Sequence, residues 1–151
     1  MPLQTWLVLA WAVAAGALIA LQGPINAQLG AKLGNPLAAA TLSFIVGTLA
    51  LILVTALFAR GSVNISVIPT LAPYLIIGGG LLGATYVTSS IVLTPQLGIA
   101  VVLALGIAGQ MLASLLLDHY GALGLVVREV TIGRAAGAAM VLIGALMVRF
   151  L

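Results

Sequence analysis

Charge is almost absent from this sequence, and that scarcity limits the folds open to it more than any other feature. Only 5% of the 151 residues are charged, while 64% are hydrophobic. Soluble domains carry about 25% charged residues, which cover the folded surface with solvated groups. A chain this poor in charge needs the hydrocarbon of a bilayer as its solvent. The sequence therefore predicts an integral membrane protein with essentially no water-soluble domain.

The apolar residues fall into five segments, each close to the ~20 residues that an α-helix needs to cross ~30 Å of hydrocarbon. Period-two alternation, which is typical of membrane strands, is absent from these segments. We therefore predict an all-α bundle of five transmembrane helices that forms a single domain over residues 1–151. The predicted helices cover about residues 4–33, 36–59, 70–93, 95–117 and 132–150.

Glycine and proline separate the predicted helices. Gly34-Asn35-Pro36 predicts a helix end followed by a proline in the first turn of the next helix. Residues 94–96, Thr-Pro-Gln, predict a tight turn between the third and fourth helices. Within the first segment, Gly23-Pro24 predicts an interruption of the helix.

Basic residues give the predicted bundle almost no preferred orientation. Five spans place the two termini on opposite sides of the membrane. Arg60, Arg128 and Arg134 then fall on the N-terminal side, and Lys32 and Arg149 fall on the other side. Lysine and arginine mark the cytoplasmic side of a membrane protein, and three against two is a very weak bias. This distribution fits a protein that inserts in both orientations.

Several motifs resemble known transporters. Residues 94–100, TPQLGIA, and the pair Gly137 and Gly144 resemble the last two helices of small multidrug resistance proteins. Residues 22–30, QGPINAQLG, with LGNP at 33–36, and residues 109–121, GQMLASLLLDHYG, are more specific. Together they resemble the five-helix YdcZ-type family of the drug/metabolite transporter superfamily, over nearly the whole chain.

This resemblance implies a secondary transporter of small molecules in a prokaryotic plasma (inner) membrane, with the fold of one drug/metabolite transporter half. Longer members of the superfamily have ten helices in two inverted halves, and the smallest form antiparallel homodimers. A five-helix chain has the size of one half, so it needs a second, oppositely inserted copy to rebuild the inverted repeat. The weak charge bias supports the same antiparallel homodimer independently.

Polar residues inside the first segment are the strongest candidates for a substrate site. Gln22 and Asn26 are four residues apart and share one helix face. Pro24 lies between them, frees the carbonyl of Ala20 and bends the helix, so we predict a hinge at Gly23 and Pro24. Polar side chains in hydrocarbon usually face a bundle interior or a water-filled cavity. Hydrogen bonding to neighbouring helices is the alternative role for the two amides.

The third and fourth segments add further candidates. On the fourth, Gln110, Ser114 and Asp118 follow one stripe at intervals of four. Asp118 and His119 lie at the membrane boundary, where we favour a hydrated helix end over a proton-coupling role. The predicted substrate-binding residues are Gln22, Asn26, Tyr86, Ser89, Gln110 and Ser114.

The glycines of the fifth helix and the threonines of the second helix each form a stripe that is typical of helix packing. Gly137 and Gly144 lie on one face of the fifth helix, and the resemblance assigns that face to dimer formation; packing within one subunit is the alternative. Thr41, Thr48 and Thr55 repeat every seven residues on the second helix, which we interpret as packing.

The sequence also excludes several functions. It has no cysteine, so disulfides and thiolate metal sites are excluded, and we expect no cofactor, metal or nucleic-acid partner. No carboxylate lies near Gln22, where small multidrug transporters use a glutamate, so a neutral polar or anionic metabolite is easier to accommodate than a cation. We expect no enzyme. The alternatives to a transporter are a small dual-topology channel and a membrane subunit that only binds a partner protein.

Overall fold

Five long helices make up most of the computed structural model, which describes residues 3–59 and 61–151. They are α1 (Leu3–Leu33), α2 (Pro36–Phe58), α3 (Pro73–Leu97), α4 (Ile99–Tyr120) and α5 (Ile132–Phe150), with short 3₁₀ turns at Ile65–Thr70 and Ala122–Gly124. All five are long and apolar enough to cross a membrane. The prediction of an all-α protein with five membrane helices is confirmed. Arg60, one of the basic residues that set the charge bias, lies outside the described residues.

The helices belong to two compact units, Met1–Pro95 and Gln96–Leu151. The first unit contains α1 and α2 and nearly all of α3, and the second contains α4 and α5. Most side chains in both units are exposed within the chain, as expected for helices whose solvent is lipid.

The core of the first unit is built from small side chains. Ala39 and Ala40 of α2 and Ile91 of α3 are buried there. Gly30 brings α1 close to both helices, because a Cβ built on it would lie 3.1 Å from Ile91 Cγ2 and 3.6 Å from Ala39 Cβ. Small residues permit this approach, and the packing it allows is what holds helices together in lipid.

The turn between α1 and α2 satisfies the backbone at both helix ends. Gly34 has a φ of 68°, and the N–H of Asn35 donates to the carbonyl of Gly30 at 3.1 Å, as in a Schellman motif. The Asn35 side chain then accepts from the N–H of Leu37 at 2.8 Å and caps α2, whose first residue is Pro36. The helix stop and start predicted at this position are confirmed.

Two prolines are tolerated inside helices where the sequence predicted breaks. α1 continues through Pro24, and α3 continues through Pro95 to Leu97. The chain turns instead at Gly98, which has a φ of 80°. A proline removes only one backbone hydrogen bond, whereas a turn inside hydrocarbon would expose several, so the helix continues. The predictions of an interruption at Gly23-Pro24 and of a turn at residues 94–96 are therefore wrong.

α4 and α5 pack against each other and form the second unit. Its most deeply buried side chains are three alanines, Ala108 of α4 and Ala138 and Ala145 of α5. Gly121 ends α4 in the left-handed region, with a φ of 57°. A Cβ there would lie 2.7 Å from Val127 Cγ2, so both the turn and the close approach of the following loop require glycine.

The close approach at Gly30 predicts a selective loss of stability when a large side chain is introduced. We expect Gly30→Leu to lower the free energy of unfolding by ~1–3 kcal/mol, because the new side chain must displace Ile91 and Ala39. The measurement is SDS-induced unfolding in detergent followed by circular dichroism. Gly16→Leu is the matched control on the same helix, because nothing lies within 4 Å of a Cβ built at Gly16. Equal losses for the two variants would contradict this account of the packing.

Candidate functional site

A narrow crevice between α1 and α3 collects several of the predicted polar residues. Gln22, Gly23 and Asn26 of α1 line it, together with Tyr86 and Ser90 of α3. Ile19, Val87 and Ile91 supply the apolar part of its wall. Its volume is about 10 Å³, which is room for a single water molecule. The structure therefore brings together Gln22, Asn26 and Tyr86 from the predicted substrate-binding set.

Asn26 is the buried polar residue of this crevice. It is 5% exposed, and its Nδ2 donates a hydrogen bond to Ser43 Oγ of α2 at 3.3 Å. A buried amide needs hydrogen-bond partners, and this bond uses one of the two donors on Nδ2. The bond ties α1 to α2, as expected for an amide that holds helices together. Ser43 was missed by the sequence analysis, because a single serine in an apolar run carries no signal.

Gln22 differs from Asn26 in its surroundings. It lies one helical turn earlier on the same face, but its side chain is exposed within the chain. Pro24 lies between the two amides, and without an N–H it cannot bond the carbonyl of Ala20. The Gln22 amide that lines the crevice is open to a ligand.

The third helix places Ser89 and Ser90 on different sides. Successive residues of a helix are about 100° apart. Ser90 joins Tyr86 in the crevice, whereas Ser89 lines a separate groove between α2 and α3. Ser90 lies four residues after Tyr86, on the same helix face, and this spacing could have added Ser90 to the predicted site.

The groove between α2 and α3 is much larger than the crevice. It consists of two adjoining cavities of about 540 and 460 Å³, which share Leu37, Ala84 and Thr88 as lining residues. Thr41 and Thr48 of α2 also line it. The threonine stripe interpreted as packing thus borders open space, because α1 packs against the neighbouring face of α2, where Ala39 lies. The same is true of Thr55, which borders a further open cavity.

Gln110 and Ser114 belong to the other unit, on α4. Gln110 is exposed within the chain. The Ser114 hydroxyl donates to the carbonyl of Met111 in its own helix at 2.9 Å. Serine in a membrane helix commonly satisfies itself in this way.

Asp118, at the end of α4, forms an ion pair with Arg134 in the first turn of α5. The Arg134 guanidinium also donates to the carbonyls of Arg128 and Glu129 at 3.3 and 3.2 Å. The N–H of Arg128 donates to the carbonyl of Asp118 at 2.8 Å. These bonds fasten the loop between α4 and α5 to both helix ends.

Sequence analysis placed Asp118 at a helix end but missed its partner, because Arg134 is 16 residues away. His119, its neighbour, is exposed and lies against the ring of Tyr120 with centroids 5.0 Å apart.

Gly137 and Gly144 lie one position before the buried Ala138 and Ala145. Within the described part of the chain, and apart from the adjacent residues and the backbone of α5 itself, no atom comes within 4 Å of a Cβ built on either glycine. The alanines fill the packed face of α5, so the adjacent glycine face has no close neighbour within the chain.

One comparison with known proteins identifies the family. The sequence model of the family described as "Putative inner membrane exporter, YdcZ" matches residues 7–147. The chain belongs to this family. No curated protein and no solved structure is significantly similar to it. The resemblance inferred from the motifs is therefore confirmed, and the protein is a multi-pass membrane transporter.

The described residues include hydrogen-bonding groups for a solute but no cluster for a metal ion. Within residues 3–59 and 61–151, no group of three or more histidine and acidic side chains is placed to hold a metal ion. The groups gathered in the crevice and the groove are amides and hydroxyls, which bind solutes through hydrogen bonds.

The ion pair at the end of α4 predicts a measurable coupling between two side chains. We expect Asp118→Asn and Arg134→Gln each to lower stability, and the double variant to lose less than the sum of the two. A coupling of about 1 kcal/mol is expected for a partly exposed pair, measured by SDS-induced unfolding.

Arg149→Gln is the control for that cycle, because Arg149 lies beside Phe150 at the far end of α5. Its effect on stability should be small and independent of Asp118. Strict additivity of Asp118→Asn and Arg134→Gln would contradict the fastening role of the pair.

Proposed function

We propose that this chain is a secondary transporter that moves a small polar metabolite across a prokaryotic inner membrane. It works by alternating access within an antiparallel homodimer. The observation that carries the proposal is the crevice between α1 and α3, where Gln22, Asn26 and Tyr86 converge between two membrane helices. Polar groups are costly in hydrocarbon and mark solute pathways in membrane proteins.

Gly23 and Pro24 supply the hinge that such a transporter requires. α1 is a continuous helix, so the proline weakens it at one hydrogen bond without breaking it. Bending at this point would change the distance between Gln22 and the α3 side of the crevice. A site placed at a weakened helix can open toward one side of the membrane and then toward the other.

In one copy of the chain, the crevice is too small to hold a metabolite, and a second copy would supply the rest of the site. The crevice holds about one water molecule, whereas small-molecule sites have volumes of about 300–1,000 Å³. An inverted copy would add a second set of amides and complete a larger site. The uncovered glycine face of α5, with Gly137 and Gly144, supports close contact with that copy. In this proposal Gln110 and Ser114 of α4 are further substrate-binding residues.

The residues available for ion coupling are few. The crevice contains no carboxylate. Asp118 is engaged in the ion pair with Arg134. We assign Asp118 to fastening the loop between α4 and α5, which leaves the exposed His119 as the candidate for proton coupling.

Antiparallel assembly predicts that the chain inserts in both orientations. Val126, in the loop after α4, is 76% exposed, and Leu151 at the end of the chain is 96% exposed. These residues lie at opposite ends of α5. In intact cells, an impermeant maleimide should label about half of the molecules at Val126→Cys and about half at Leu151→Cys. The cysteine-free chain gives a clean background.

Permeabilised cells provide the control, because both variants should then be labelled completely. Labelling of one variant alone from outside would contradict dual insertion. The antiparallel homodimer would then give way to a parallel assembly or to a partner chain of opposite orientation.

Asn26 allows the substrate-binding role to be separated from helix packing. We expect Asn26→Ala to lower solute uptake at least tenfold, because it removes the amide that lines the crevice. Ser43→Ala removes only the hydrogen-bond partner of that amide and should change uptake less than threefold. The measurement is the initial rate in proteoliposomes, with a solute found by uptake screening.

Both variants lose the same interhelical hydrogen bond, and Asn26→Ala also leaves a cavity at a buried position, so we expect its stability to fall further than that of Ser43→Ala. Equal losses of uptake would show that Asn26 acts only in packing. Flux that rises with solute concentration without saturating would indicate a channel instead of a transporter.

A further inference from the structure

The groove between α2 and α3 carries hydroxyl groups on both of its walls. Thr41 and Thr48 project from α2, and Thr88 and Ser89 project from α3. Thr85, at the same groove, donates its hydroxyl to the carbonyl of Leu81 at 2.9 Å, one turn back in its own helix. The other four side chains make no hydrogen bond with any of the described residues.

Unpaired hydroxyls are costly when they face lipid. Burial of a hydroxyl in an apolar medium without a hydrogen bond costs roughly 2 kcal/mol or more. A threonine in a membrane helix can avoid that cost by bonding its own backbone, as Thr85 does. The other four hydroxyls of the groove make no such bond, and water or a polar solute in the groove would supply their hydrogen-bond partners.

We propose that this groove is a water-filled section of the transport path and binds an uncharged, hydroxyl-bearing solute such as a sugar or polyol. The inference rests on the proposed transport function and names its substrate class. Each cavity of the groove, at about 540 and 460 Å³, has the size of a small-molecule site. The crevice at Asn26, by contrast, holds a single water molecule.

The lining chemistry selects against charged solutes. None of the described residues that line the groove is charged. A charged solute would lose its hydration there without meeting an opposite charge. Hydroxyl groups both donate and accept hydrogen bonds, which suits the alternating donors and acceptors of a sugar or polyol. The apolar residues between them, Leu37 and Ala84 among others, match the C–H surface of such a molecule.

A helix of a second copy is the competing occupant of the groove. It would cover the apolar residues, but most faces of these helices are rich in leucine, valine and isoleucine and would leave the four hydroxyls unpaired. Water or a hydroxylated solute satisfies them all. The chemistry of the walls therefore favours a solute over a packed helix.

Single cysteines in the groove test the inference directly. The variants are Thr88→Cys and Thr48→Cys, which introduce a side chain of nearly the same size into a chain that has no cysteine. Iodoacetamide alkylates the thiolate, which forms only where water stabilises it. In proteoliposomes we expect both cysteines to react at least tenfold faster than matched lipid-facing controls. The controls are Leu82→Cys on α3 and Val46→Cys on α2, which are exposed side chains outside the groove.

Protection by added solutes tests the substrate class. Xylose, glucose or glycerol at high concentration should slow the alkylation of Thr88→Cys at least twofold, whereas choline and glutamate should not. Protection by choline or glutamate, but by none of the three uncharged probes, would overturn the class. So would an absence of protection by all five probes.

Two further results would overturn the water-filled groove itself. One is alkylation of Thr88→Cys and Thr48→Cys as slow as that of Leu82→Cys and Val46→Cys. The other is a disulfide between two copies at Thr88→Cys under mild oxidation, which would assign the groove to a helix of the second copy. Neither outcome depends on transport. The proposed transport function is tested separately, and it fails if the wild-type chain shows no saturable flux.

Discussion

The absence of water around the helices is the constraint on which the rest of this structure depends. In hydrocarbon each backbone and side-chain polar group must find a partner inside the protein or in a water-filled space. The turn at Gly34 and Asn35 meets this requirement with backbone and side-chain bonds, and the helices meet it by continuing through Pro24 and Pro95. A soluble protein could have used a proline to end a helix, because water would have satisfied the freed groups.

The same constraint sorts the polar side chains into two groups. Ser114 and Thr85 bond their own helices, Asn26 bonds Ser43, and Asp118 pairs with Arg134. These groups have partners within one chain, although Asn26 uses only one of its two amide donors in this way. The second group consists of the exposed Gln22 of the crevice and the unpaired hydroxyls of the groove. Stability alone gives no reason to keep polar groups without partners in a membrane helix, so we expect function at these residues.

The sequence predicted the architecture well and the site only in part, for identifiable reasons. Hydrophobic length defined five helices, and Asn35-Pro36 marked a helix start, because both signals are local. Ser43 and Arg134 were missed because each acts through a contact distant in sequence. The threonine stripe at Thr48 was interpreted as packing but borders open space within the chain, since periodicity shows which residues share a face but not what that face meets.

Two surfaces are left uncovered in one chain, the glycine face of α5 and the groove between α2 and α3. They differ in whether a second copy could pack against them. In a two-fold dimer the same residues of both copies lie in the interface. The glycine face of α5 can meet itself closely, since Gly137 and Gly144 leave backbone exposed and no polar side chain unpaired. The hydroxylated groove gains nothing from an apolar partner. In the proposed dimer, close contact therefore belongs at the glycines, and the groove stays open to solute.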